Sequence, residues 1–161
     1  MERSLRITIR PEWDRIEHVV EQAARFLDLH SMPETRRDAF LMVVSELVEN
    51  AIKYGSFPPE NGDLLVKIEI EGASVIAEVS NPVDDSKAPH LHNLDRMVQW
   101  IRGYQDPFEA YIHRLKDVAK KPMSDTESGL GLVRIAYEGS ALLDFFVTED
   151  MLNVSAVSSV E

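Results

Sequence analysis

Apolar and polar positions alternate from the start of the chain. Leu5, Ile7 and Ile9 are separated by Arg6, Thr8 and Arg10, the two-residue period of a half-buried strand, and Pro11 stops it. From Trp13 the period changes: Trp13, Ile16, Val20, Ala23 and Leu27 recur in steps of three and four, so the spacing predicts a helix to about Asp28. Ser31-Met32-Pro33-Glu34 then supplies a cap residue, a proline in the first turn and a glutamate placed for a capping box. They open a second helix that ends near Tyr54-Gly55, where glycine suits a left-handed cap.

Beyond the loop from Phe57 to Gly62, Val66, Ile68 and Ile70 mark one strand and Val75, Ala77 and Val79 another, with a tight hairpin at Glu71-Gly72-Ala73. Asn81-Pro82 is expected to break the second strand, and Asp84 to Pro89 is polar and turn-prone. Residues 91–102 and 107–121 read as two helices, the second opened by Asp106, Pro107 and Glu109. Pro122 to Ser128 leads into Gly129-Leu130-Gly131-Leu132, after which Leu132, Ile135 and Ala136 support a further helix. Alternating runs from Leu142 to Thr148 and from Met151 to Ser158 close the chain around a Glu149-Asp150 turn. Hairpin strands with helices grouped between them predict an α+β fold in two layers, a mixed and mostly antiparallel sheet covered on one face by helices.

The length of 161 residues and a hydrophobic content of 44% suffice for one domain with its own core. Acidic side chains outnumber basic ones 28 to 17, a formal charge of -11, which repels a phosphate backbone and excludes nucleic acid and anionic membrane as expected partners. The absence of cysteine removes disulfides, thiolate zinc sites and cysteine nucleophiles, and fits a cytoplasmic protein. No run approaches the roughly 18–20 apolar residues of a membrane span. His18, His30, His90, His92 and His113 are scattered and read as surface or loop residues. The stripes of Met97, Trp100 and Ile101, and of Tyr111, Ile112 and Leu115, read as packing surfaces of the inserted helices.

Candidate chemistry lies in two places. On the second helix Phe40, Val43, Val44, Leu47 and Ala51 form the core stripe, while Glu46, Asn50 and Lys53, spaced by four and three, share another face. A carboxylate, an amide and an ammonium in line suit a magnesium nucleotide, because oxygen donors hold the hard cation and lysine pairs with phosphate. The same spacing also describes an ordinary solvated helix face. The second place is Ser128-Gly129-Leu130-Gly131-Leu132, where glycines ahead of a helix let backbone N–H groups approach an anion. It lacks the strand and third glycine of a dinucleotide fingerprint and the Gly-Lys-Ser/Thr of a Walker loop.

Taken together and in this order, the two segments resemble the GHKL ATPase superfamily with its Bergerat nucleotide-binding fold. Ser45-Glu46-Leu47-Val48-Glu49-Asn50-Ala51-Ile52-Lys53-Tyr54-Gly55 is similar to the family's asparagine box, and Gly129-Leu130-Gly131-Leu132 to its second glycine box. The resemblance covers about Met32 to Ser158 and implies that residues 1–161 form a single ATP-binding domain with 83–128 as a helical insertion or lid. It implies Glu46 as general base, Asn50 as the Mg2+ ligand, Lys53 as a phosphate contact, and Gly129, Leu130 and Gly131 as the hinge of the ATP lid. Asn81 stands where the family has an adenine-reading aspartate; its carbonyl can accept from the adenine amino group, but the following glycines are absent and Pro82 stiffens the turn.

The size and the extra N-terminal strand resemble the anti-sigma-factor serine kinases of the SpoIIAB and RsbW type, and the insertion looks closer to the SiaB-type branch. The implied function is an ATP-dependent protein serine/threonine kinase in bacterial partner switching, acting on a protein antagonist, a sigma factor or both, with pairing of the first strand as a route to a homodimer. The alternative is a non-catalytic module of the same fold that sequesters its partner without ATP. A detached ATPase module of a larger assembly is a third reading.

Overall fold

The structure, a computed structural model, describes residues 3–57, 62–84, 86, 88–103, 112–114, 116 and 130–161. Strands β1 (Ser4–Ile9), β2 (Leu64–Glu71), β3 (Ser74–Pro82), β4 (Leu142–Thr148) and β5 (Met151–Ser159) form one sheet in the order β1-β2-β3-β5-β4. Each neighbouring pair is antiparallel, so the described ladders include none of the parallel pairing that a mixed sheet allows. Register follows from the alternation: Ile7 lies opposite Val66, Val66 opposite Val79, and Val79 opposite Val154, which collects the apolar residues on one face. Arg6, Lys67, Glu78, Ser155 and Asp144 form a row across the other. Gly72 at φ 61 turns the β2–β3 hairpin, and Glu149 and Asp150 at φ 47 and 65 turn β4 into β5.

The helices cover the apolar face. A 3-10 turn (Trp13–Arg15) leads into α1 (Ile16–Leu29), followed by α2 (Glu34–Tyr54), α3 (Ala88–Arg102) and α4 (Leu130–Tyr137). Their buried residues, Val19, Ala23 and Leu27 of α1, Phe40, Val44 and Val48 of α2, Leu94 and Val98 of α3 and Val133 and Ile135 of α4, join the sheet residues in one core cluster. The fold is thus the expected two-layer α+β sandwich. Among the described residues no helix is long and apolar enough to cross a membrane.

Several local expectations are corrected. Trp13 is 58% exposed, so the apolar stripe of α1 runs through Val19, Ala23, Phe26 and Leu27 instead of starting at Trp13. Ser31 does not cap α2; it ends α1. Ser31 adopts φ 57, its N–H donates to Asp28 O at 3.0 Å, and Met32 N–H donates to Leu27 O at 3.1 Å. That pair of bonds is a Schellman closure, with Met32 and Leu27 buried against the core as its hydrophobic contact. Proline at the cap position leaves α2 without a side-chain cap bond. Gly55 is extended, at φ -71 and ψ 158, and its lack of a Cβ serves close packing against the Phe57 ring and Ala51 O.

Asn81 and Pro82 do not break β3 but belong to it, paired with Leu152 and Met151 of β5. The β2 ladder has stopped at Ser80, so proline sits where one neighbouring strand remains. Helix α3 starts at Ala88, three residues before the expected start at Leu91. Of the expected helix at 107–121, residues 112–114 and 116 are helical, and the rest, including Asp106, Pro107, Glu109, Tyr111 and Leu115, lies outside the described residues.

Gly139 lets α4 approach α2. A Cβ there would overlap Val43 Cγ2 and lie 2.6 Å from Ile135 O, while its carbonyl accepts from Ser158 Oγ at 3.0 Å and so ties this turn to β5.

Two stability changes follow from these turns. Ser31→Gly removes the left-handed strain of a residue with a Cβ, and chemical denaturation should show stabilisation by about 0.5–1 kcal/mol. Gly139→Ala should cost about 1–3 kcal/mol in the same assay, since either α4 or Val43 must shift.

Candidate functional site

Helix α2 presents two faces because its apolar residues recur at helical spacing. Phe40, Val43, Val44, Leu47, Val48 and Ala51 are buried, which leaves Glu46 and Asn50, one turn apart, at the border of the core and only partly covered. The first turn of α4 closes over them. A Cβ on Gly131 would stand 2.5 Å from Glu46 Oε2 and 3.8 Å from Asn50 Nδ2, so the backbone of α4 comes as near to this pair as glycine alone permits. The candidate asparagine-box residues and the candidate second glycine box therefore meet in space.

Lys53 lies further along α2. It is exposed, with Nζ 5.1 Å from the centroid of the Tyr54 ring. That ring stacks on His90 at 3.9 Å and an interplanar angle of 19°, which joins the first turn of α3 to the end of α2. His90 is thus a packing residue of a helix, not the loop residue expected.

The electrostatics centre on Glu46. Arg134 Nη1 donates to Glu46 Oε1 at 2.8 Å, and Arg134 Nε and Nη2 both donate to Glu138 Oε2 at 3.1 Å. Burial pushes the Glu46 carboxyl above the usual carboxylate range, the charge of Glu49 adds to this, Arg134 opposes it, and Glu138 adds a further upward push. A carboxylate raised in this way is a better proton acceptor than one in water.

Asn81 is 2% exposed at the end of β3, and its Nδ2 donates to Pro82 O at 3.0 Å, which leaves the amide oxygen as its acceptor. Pro82 O also accepts from Ser56 N–H at 2.9 Å, so the end of β3 is held to the chain leaving α2. Leu130 is the first residue of α4. Gly129 and Ser128 lie outside the described residues, as does half of the expected lid at 83–128.

Arg134 and Glu138 were not among the residues singled out from the sequence. Their signal was present: 131, 134 and 138 are spaced by three and four, so the helix face that carries Gly131 carries both.

The Asn50 amide oxygen, beside a backbone approach that a Cβ would fill, fits a hard cation bound to an anionic ligand. The two-layer sandwich itself has a counterpart among solved structures. No family model matches the chain, and no curated protein sequence matches it. Its fold is similar to that of a chain in the SiaB–SiaC complex from Pseudomonas aeruginosa, with a TM-score of 0.72 and 19% identity, over 96% of this chain and 88% of that one.

Proposed function

We propose that this chain is a GHKL-type protein serine/threonine kinase that uses Mg–ATP and works as an anti-sigma-factor-type partner-switching regulator in the cytoplasm. The observation that carries the reading is the contact of Gly131 with Glu46 and Asn50, which joins two candidate nucleotide-binding segments far apart in sequence. The fold shared with a chain of a two-protein complex, SiaB–SiaC, supports a role exerted through a protein partner. That partner is an antagonist protein, a sigma factor or both.

Each residue then has a task. Bound Mg–ATP supplies the γ-phosphoryl group and the metal charge that offsets the phosphates. The Asn50 amide oxygen is a ligand for the hard cation, and Lys53 offers a positive charge to the phosphates. Leu130 and Gly131, at the start of α4, offer backbone N–H groups to an anion, with Gly129 as their partner in the hinge of the lid. Asn81 offers its amide oxygen to the adenine amino group. Glu46 accepts the proton of the partner's hydroxyl as that oxygen becomes the nucleophile. Residues 83–128 then act as the helical insertion or lid of a single domain spanning 1–161.

One observation favours a second reading. Asn81 is buried and already donates to Pro82 O, which suits a structural amide as well as an adenine contact. In that reading the chain is a non-catalytic module that sequesters its partner without nucleotide.

Isothermal titration of Mg–ATP separates the two. The kinase reading expects binding by the wild type and a loss of at least about tenfold in Asn50→Ala, the scale of one charge-assisted contact. Gly131→Ala should also weaken binding, because its Cβ displaces the Glu46 carboxylate. Absence of binding by the wild type would overturn the kinase reading and leave the partner-binding module.

A further inference from the structure

Arg134 belongs to neither segment that suggested nucleotide binding, yet it reaches the carboxylate between them. It stands 88 residues from Glu46 in sequence and 2.8 Å from it in space. Its guanidinium is divided between two acids: Nη1 serves Glu46 Oε1, and Nε with Nη2 grips Glu138 Oε2 at 3.1 Å each. Glu138 follows four residues on, directly after the end of α4, so it anchors the fork to its own segment of chain. The Glu46 side chain is 16% exposed and that of Arg134 39%, so the acid is the more enclosed partner and the cation reaches it from the solvent side. The two carboxylate oxygens of Glu46 are thereby distinguished. Oε1 receives Arg134, and Oε2 faces Gly131, where the missing Cβ leaves room.

We propose that Arg134 is the positioning residue of this site: anchored by Glu138, it holds Glu46 by Oε1 and turns Oε2 toward the backbone of Gly131 as the proton-accepting oxygen. The role as proton acceptor rests on the kinase reading; the positioning itself rests on the geometry. A neutral side chain at 134 removes the contact that holds Oε1. It also removes the one cation among the described residues that acts on Glu46 against burial and against the charges of Glu49 on α2 and Glu138 just past α4. Lysine keeps the charge without the fork, so it restores the pull on Glu46 and gives up the second hold on Glu138.

The test is a carboxyl carbon NMR titration of Glu46 in the full chain, the resonance assigned by its loss in Glu46→Gln. Removing Arg134 raises the folded-state pKa of Glu46. The expected result for Arg134→Gln is therefore a midpoint at higher pH than in the wild type, so that less of the carboxylate is present at neutral pH. Arg134→Lys should bring the midpoint back toward the wild-type value, a rescue that a merely structural contact would not give. The same midpoint in Arg134→Gln and in the wild type, with both folded, would overturn the proposal. So would a midpoint in Arg134→Lys as high as in Arg134→Gln. Failure of the kinase reading shows itself separately, as wild-type protein that takes up no Mg–ATP, and would overturn the proton-accepting role while the titration decides the positioning.

Discussion

The site depends on the close approach of α4 to α2. Glycine stands at both ends of the contact: Gly131 against Glu46 and Asn50, and Gly139 against Val43. A helix carrying side chains at both points would ride further out, because neither the carboxylate nor the packed valine can yield without moving a neighbour. With both glycines in place, Val133 and Ile135 of α4 sink into the core and Ser158 of β5 holds the turn at Gly139. Packing in the apolar layer and access at the polar rim are consequences of the same separation. Loss of either glycine therefore bears on both.

That separation also decides what Glu46 experiences. Drawn between two helices, it loses water and meets the charges of Glu49 and Glu138, and each of these effects disfavours the carboxylate. Arg134 answers only in part, since the Glu46 carboxyl remains raised. A pair with the arginine 39% exposed is worth about 0.2–1 kcal/mol to stability, too little to explain its presence as a staple. Its effect on the direction and charge of one carboxylate is the larger consequence. Electrostatics matters here for the state of a group more than for holding the fold.

Much of the fold was legible because period and burial are linked in strands. Alternation in β1, β2 and β3 placed the core face, and the turns at Gly72 and at Glu149-Asp150 carry the left-handed residues that such hairpins need. Misreadings arose where one residue type has two local uses. Serine at position 31 suits a helix start by its hydroxyl, but it sits two residues past the end of α1, and the closure of that helix won through the buried Met32–Leu27 contact. Proline at 82 reads as a strand breaker, yet a strand end with one remaining neighbour tolerates it. Glu46 and Asn50 were legible as candidates from spacing. Their approach to Gly131 and the reach of Arg134 depend on how two helices distant in sequence cross, which no local pattern contains.

Asn81 and Pro82 show how a departure in sequence changes the constraint on a site. Glycines after this position would free the backbone; proline does the reverse by fixing its φ, and its carbonyl is held by hydrogen bonds. That carbonyl takes two donors, Ser56 N–H from the chain leaving α2 and Asn81 Nδ2 from the preceding residue. The next residue, Val83, donates its N–H to Asp150 O in the β4–β5 turn. The end of β3 is therefore tied to α2 on one side and to the second hairpin on the other, and Asn81 is held within a rigid frame. A buried amide with its nitrogen engaged has its oxygen oriented in advance, and a group that meets this oxygen must come to it as a donor. Rigidity here and the close helix approach at Gly131 act alike: both place polar atoms by backbone constraint and leave less to the freedom of side chains.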